Sequence, residues 1–323
     1  MFKHLLVPLD GSVLAEAALP AALYLAESLG ASVTLIHIIE ADAPQEIHGE
    51  RHLSEAGEAY AYVEGATRAF PPGLPVECHV HTLPASDVAR GIVEHVDEFA
   101  PDLIIMCTHG SGGLRGLVVG SIAQQVIALG KTPVLLIQPG KVEPLTPVPT
   151  STTGDERPKY AERGQWGPLR RLLIPLDGNP DHEQGISVAA GLAAACGAGL
   201  YLLRAVHTSG SLTWQSAATA RMLPSLTDAY LDLAQEEAVR YLGGCLARLL
   251  ESGLSVAAEV QRGDPADVIV KTAGKAQADL IVLSTHGRSQ MEAFWSGSVT
   301  PRVAGRTQLP LLLVPVPETE PER

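Results

Sequence analysis

A chain of 323 residues is long enough for two ordinary domains, each able to bury a core of its own. The net charge of −13 excludes nucleic acid and anionic membrane surfaces as expected partners, because phosphates would be repelled. Aromatic residues make up only 4%, so a bound purine would have to sit between aliphatic side chains.

Cys78, Cys107, Cys196 and Cys245 show no Cys-x-x-Cys spacing and read as reduced thiols, not as a disulfide frame. No apolar run approaches the ~18 residues that cross a bilayer. Met1-Phe-Lys-His-Leu-Leu-Val enters a strand at once, with no signal peptide, and the expected compartment is the cytoplasm.

Taken in order, His4–Leu9 is an apolar run closed by Asp10-Gly11-Ser12, which gives a strand and a tight turn. Helical spacing follows from Ser12 to Ser28, with Pro20 inside it, so a bend or restart is expected there. Val33–Ile39 is the second strand. Residues 40–74 hold a polar loop and a helix whose wet face carries His48, Arg51, His52, Glu55 and Glu58. His37, His48 and His52 invite a metal reading, but spacing fixes no acidic third ligand, and no metal site is assigned.

Pro75–Thr82 is a third strand and Ser86–Phe99 an amphipathic helix. Asp102–Met106 reads as a buried parallel strand leading into a glycine-rich loop, Cys107 to Gly120. Ser121 followed by Gln124 is a capping-box pattern opening the helix 122–130, and Pro133–Ile137 is a fifth strand. Such a loop exposes backbone N–H groups beside the positive end of a helix, which favours an anion. It is not a Walker loop, because Gly-Lys-Ser/Thr is missing.

Proline, glycine, serine and threonine crowd the stretch 138–168, which reads as a linker. The pattern then repeats: strands 171–176, 199–206, 254–261, 279–284 and 310–316 alternate with helices 182–195, 217–252, 265–276 and 299–306. Gly110, Gly120 and Ser121 recur 177 residues on as Gly287, Gly297 and Ser298, and Asp102-Leu-Ile recurs as Asp279-Leu-Ile. Leu6-Val-Pro-Leu-Asp-Gly11 recurs 167 residues on as Leu173-Ile-Pro-Leu-Asp-Gly178. A period this long means two copies of a whole domain. Alternating strands and helices imply a parallel sheet covered on both faces, with ligands beyond the carboxyl ends of its strands where strand order reverses. The expected domains are 1–138 and 169–316, with a linker at 139–168 and a tail at 317–323.

Pro8-Leu-Asp-Gly-Ser12, Thr108-His-Gly110 and Gly120-Ser121, with their copies at Pro175-Leu-Asp-Gly178, Thr285-His-Gly287 and Gly297-Ser298, resemble the universal stress protein family. The resemblance covers both repeats and makes the chain similar to a tandem universal stress protein. It implies two Rossmann-like α/β domains, each with a five-stranded parallel sheet in the order 3-2-1-4-5. It also implies that the two domains pair through their fifth strands as an intramolecular pseudo-dimer, and leaves a homodimer open. Members that bind ATP carry Gly-x-x-Gly-x9-Gly-Ser/Thr; here Cys107 and Ser284 stand at the first glycine.

Carried over by position, the resemblance implies a nucleotide site in repeat one. Asp10 would meet the adenine or ribose end and Ile38 the base. Gly110, Ser111, Gly112 and Gly113 would approach the phosphates, Gly120, Ser121 and Ile122 would cap their tail, and Cys107, His109 and Arg115 belong to the same loop. A magnesium ion would ride on the phosphates. The corresponding second site comprises Asp177, Ala205, Ser284, Gly287, Arg288, Gly297, Ser298 and Val299. It is expected to be the weaker one, because Glu292 replaces Arg115, Ser289-Gln290 replaces Gly112-Gly113, and Pro301 removes an amide.

Bland readings stand beside these. Asp10 and Asp177 could simply cap Asp-Gly turns, His109 and His286 could be hydrogen-bonded loop histidines, and Cys107 a buried thiol at a strand end. The expected function is a regulatory, stress-response protein that binds ATP or another adenine nucleotide, with at most slow hydrolysis. The competing expectation is a pairing scaffold that binds no nucleotide.

Overall fold

The computed structural model describes residues 1–41, 46–47, 50–108, 119–138, 166–208, 224–285 and 299–316. The chain divides into two compact units, Met1–Pro168 and Leu169–Arg323.

In the first unit, β1 (His4–Pro8) leads through a turn to α1 (Val13–Glu16) and α2 (Leu19–Leu29), followed by β2 (Ser32–Glu40). Pro20 explains the break between the helices. It sits in the first turn of α2, where a missing N–H costs no helical bond, and α2 ends on Gly30 at φ 60°. A short antiparallel pair, β3 (Glu46–Ile47) and β4 (Glu50–Arg51), precedes α3 (Ala56–Ala66). Next come β5 (Val76–Ala85), α4 (Val88–Phe99), β6 (Leu103–Cys107), α5 (Ser121–Leu129) and β7 (Val134–Ile137).

The five strands of the main sheet are parallel and lie in the order β5-β2-β1-β6-β7. Leu5, Leu6 and Val7 of β1 and every residue of β6 are buried, as expected of strands covered on both faces. α3 packs on β5 and β2 from one side, while α4 and α5 pack together on the other.

The expectation for residues 40–74 needs correction. Arg51 lies in β4 and His52 is buried ahead of the helix, not on its wet face. Only Glu58 of the named residues is inside α3, and Glu55 is its N-cap. The reason is the apolar stripe, which begins at Ala59 and continues through Val63 and Ala66, leaving nothing to bury one turn earlier. His48 lies outside the described residues.

The second unit repeats the order. β8 (Arg171–Leu176) is followed by a 3₁₀ turn (Pro180–His182), α6 (Gln184–Cys196), β9 (Gly199–Val206), α7 (Pro224–Glu251) and β10 (Val256–Arg262). Then come α8 (Pro265–Lys275), β11 (Leu280–Thr285), α9 (Val299–Ala304) and β12 (Leu311–Pro315). Its sheet is again parallel, in the order β10-β9-β8-β11-β12.

The repeated aspartate before each fourth strand has a structural role. Asp102 accepts from Lys3 N at 2.6 Å and His4 N at 3.1 Å. Asp279 accepts from Arg170 N at 2.7 Å and Arg171 N at 2.8 Å. Each ties the start of the fourth strand to the start of the first and so sets the pairing on which the cleft above depends. Asp102→Ala should lower stability by ~1–3 kcal/mol, read in urea as a lower midpoint at unchanged slope. An unchanged midpoint would show that the tie contributes nothing.

Candidate functional site

Strand order reverses between β1 and β6, and there the unit opens into a hollow of ≈ 580 Å³, mouth included. Among the described residues, Leu9 and Asp10 after β1, Ile38 of β2, Cys107 of β6 and Ile122 of α5 line it, with Val88 and Ile92 of α4 as a further wall. Its lining is mostly aliphatic.

The turn after β1 fixes the carboxylate that the described residues bring to this wall. Asp10 Oδ1 accepts from Ser12 N at 2.9 Å and Ser12 Oγ at 2.6 Å. Ser12 Oγ in turn accepts from Ala15 N at 3.2 Å and so caps α1. Gly11 at φ 92° permits the bend. Thus the turn-capping reading of Asp10 holds, and the cap also orients the carboxylate beside the hollow. His37 is buried, with Nδ1 2.8 Å from Leu9 O and Nε2 3.3 Å from Leu53 O.

Cys107 is buried, and its Sγ donates to Ala15 O at 3.6 Å. Burial, reinforced by the charge of Asp10, pushes this thiol far above the ordinary thiol range. Gly120, not Ser121, is the N-cap of α5, and Ser121 is its first residue. The capping box therefore does not form: Gln124 Nε2 donates to Val119 O at 2.7 Å instead. The first bond within α5 runs from Gln124 N to Gly120 O at 3.0 Å, which leaves the amides of Ser121, Ile122 and Ala123 without acceptors inside the helix.

Of the predicted residues, then, Asp10, Ile38, Cys107 and Ile122 come together, and Gly120 and Ser121 adjoin them at the start of α5. His109, Gly110, Ser111, Gly113 and Arg115 lie outside the described residues. Val88 and Ile92 were not foreseen; their apolar periodicity on α4 marks a buried face but does not separate core from cleft.

In the second repeat the corresponding groups are occupied by the protein itself. Asp177 accepts from Asn179 N at 2.9 Å through Oδ1 and pairs through Oδ2 with His182 Nδ1. Ser284 Oγ donates to His182 O at 2.6 Å and accepts from Gly185 N at 3.3 Å. His182 O is the counterpart of Ala15 O, 167 residues on, so Cys107 and Ser284 make the same tie from strand to helix. Arg204 takes the place of His37 and donates to Leu176 O at 3.2 Å, with its guanidinium packed over Gly178. Ala205 lies in β9 and Val299 opens α9, while Gly287, Arg288, Gly297 and Ser298 lie outside the described residues.

Comparison with known proteins bears on this arrangement. The sequence profile of the Universal stress protein family matches residues 1–138 and 168–315. A universal stress protein of Mycolicibacterium smegmatis is 24% identical over 333 residues, covering 96% of each chain. One from Thermus aquaticus is 32% identical over 140 residues, which is 43% of this chain and all of that protein. Among solved structures, a universal stress protein of Archaeoglobus fulgidus has the same fold, with TM-score 0.61 and 15% identity, covering 97% of this chain and 96% of that one.

The environment of Cys107 generates a prediction. At pH 7 in the native protein it should react with iodoacetamide at least about 100-fold more slowly than in urea, because the thiolate is the reactive form. Rapid native labelling of Cys107, read by peptide mass spectrometry, would contradict its buried, hydrogen-bonded placement.

Proposed function

The chain belongs to the universal stress protein family, and from that premise we propose that it is a regulatory stress-response protein holding an adenine nucleotide in the hollow of the first repeat. One observation carries the reading: a fixed carboxylate, an aliphatic slot and helix-start amides that have no acceptor within α5 border one cleft at the switch in strand order.

The residues fit the ligand. Ile38, Val88 and Ile92 offer aliphatic faces to a purine, as the scarcity of aromatics requires. Asp10 can accept from a ribose hydroxyl, and the amides of Ser121 and Ile122 can donate to phosphate oxygens. Hydrogen bonds to charged groups contribute about 1.5–3 kcal/mol each, so a few support micromolar binding, roughly −8 kcal/mol, after association costs. ATP is the nucleotide the loop motif suggests, with magnesium carried on its phosphates, and Gly110, Ser111, Gly113 and Arg115 are proposed to complete the phosphate end.

The second repeat is proposed to bind weakly or not at all, because His182 already pairs with Asp177 and Arg204 packs over Gly178. Domains at 1–138 and 169–316, pairing through β7 and β12, complete the proposal; that pairing rests on the family resemblance. A pairing scaffold without nucleotide is the second reading. It is favoured by the Cys107 and Ser284 ties, which replace the motif's first glycine in both copies.

Calorimetric titration separates the two. ATP should bind the full chain at one site with a micromolar Kd, Ile92→Trp should weaken it at least about 10-fold by filling the hollow, and Asp177→Ala should leave it within about twofold. No heat and no Tm shift at millimolar ATP would select the scaffold.

A further inference from the structure

A histidine cluster lies beside the hollow, between β5 and α4. His79 and His81 are two apart on β5 and so share a face, in register with Ile36 and Ile38 of β2. His95 and Phe99 are four apart on α4 and share a face of the helix. His81 Nδ1 lies 3.0 Å from His95 Nε2, and His95 Nδ1 lies 2.7 Å from Glu98 Oε2. The His79 ring centroid is 4.5 Å from that of His95 and 4.9 Å from that of Phe99, while His95 stacks on Phe99 at 5.3 Å.

Proton counting constrains this cluster. A contact between two ring nitrogens needs one N–H and one lone pair. The carboxylate of Glu98 requires the hydrogen on His95 Nδ1. With His95 neutral, its Nε2 accepts from His81; with His95 charged, its Nε2 donates to a neutral His81. Either state keeps the contact, so one positive charge is accommodated and matched by Glu98. Charging both rings sets two N–H groups against each other across 3.0 Å, and the contact must break. His79 gives no outlet, because burial first, and then His95, favour its neutral form, with a smaller push from His81 and only partial opposition from Glu98.

The helix that would move is a wall of the hollow. Val88 and Ile92 lie seven and three residues before His95, on the same stripe of α4, and both line the cleft. Resting on the nucleotide reading of that cleft, we infer that the His79–His81–His95 cluster is an acid-operated latch, whose second protonation releases α4 from β5 and weakens ligand binding in the first repeat.

Other ionisable groups are placed around the cluster by each neighbouring element. α4 carries Asp97 and the exposed Arg90–Glu94 pair, β5 carries Glu77, and β2 ends at Glu40. His4 of β1 places Nδ1 3.0 Å from Phe99 O and Nε2 2.8 Å from Thr34 Oγ1. α5, also packed on α4, brings no ionisable side chain, and Glu64 of α3 acts on Cys78 from the other side of the sheet. Among the described residues only Glu98 bonds the paired imidazoles. His79 acts in the same sense: its folded value is lowered, so its contribution is complete above the ordinary histidine value and is lost as pH falls through the lower folded one.

Hydrogen exchange and nucleotide titration on the full chain test the latch. Between pH 7.5 and 5.5, after correction for intrinsic rates, amide protection over residues 88–99 should fall at least tenfold, and ATP affinity should fall by a similar factor. His81→Gln, which donates to His95 without titrating, should keep both within threefold. Equal pH dependence in wild type and His81→Gln would overturn the inference. Should ATP fail to bind at any pH, the nucleotide reading fails while the exchange result still decides the latch. If His81→Gln does not fold, Glu98→Gln replaces it: losing the anion that balances the singly charged cluster should move the loss of protection to higher pH, and an unmoved midpoint would overturn the inference.

Discussion

The parallel pairing of β1 with β6 is the constraint on which the first unit's cleft depends. Once β2 and β5 have been laid on one side of β1, the chain must cross back to place β6 on the other. Right-handed crossovers then send the helices after β1 and after β6 to opposite faces of the sheet. The carboxyl ends of these two strands are left with a gap that, among the described residues, no helix fills. Asp102, which bonds the backbone at Lys3 and His4, holds the register that keeps the gap open.

What lines such a gap decides what it can do, and the two copies have diverged there while keeping one frame. A small residue at the end of the fourth strand reaches the same carbonyl in each, through Cys107 in one and Ser284 in the other. In the first repeat the turn is a serine-capped helix start with aliphatic neighbours. In the second, a 3₁₀ turn brings His182 onto the aspartate, and Arg204 replaces a histidine that bonds backbone. A site that supplies its own cation has less to gain from an incoming ligand. The two copies thus share the glycine bend, Gly11 at φ 92° and Gly178 at φ 82°, and differ in the helix start and side chains that follow it.

Much of this was legible in the sequence because burial on both faces writes strands as uninterrupted apolar runs, and β1, β6, β8 and β11 are such runs. The duplication was legible from the spacing of a few glycines, prolines and aspartates. Its aspartates at 102 and 279 could be matched to each other but not given a role, since their partners lie about a hundred residues away. Local signals misled where another local contact won: Gln124 left the capping box for Val119 O, and the polar segment before α3 paired with itself as a ribbon. The histidine cluster was invisible because His79, His81 and His95 meet only once β5 and α4 are packed together.

The central claim is that the gap between β1 and β6, rather than its counterpart in the second repeat, receives the nucleotide. Methyl NMR on isoleucine-labelled full-length protein reports on it most directly. With ATP added, the account predicts shifts at Ile38, Ile92 and Ile122 that saturate together, while Ile174 and Ile186 of the second repeat stay in place. Saturable shifts confined to the second repeat, or none at millimolar ATP, would contradict it.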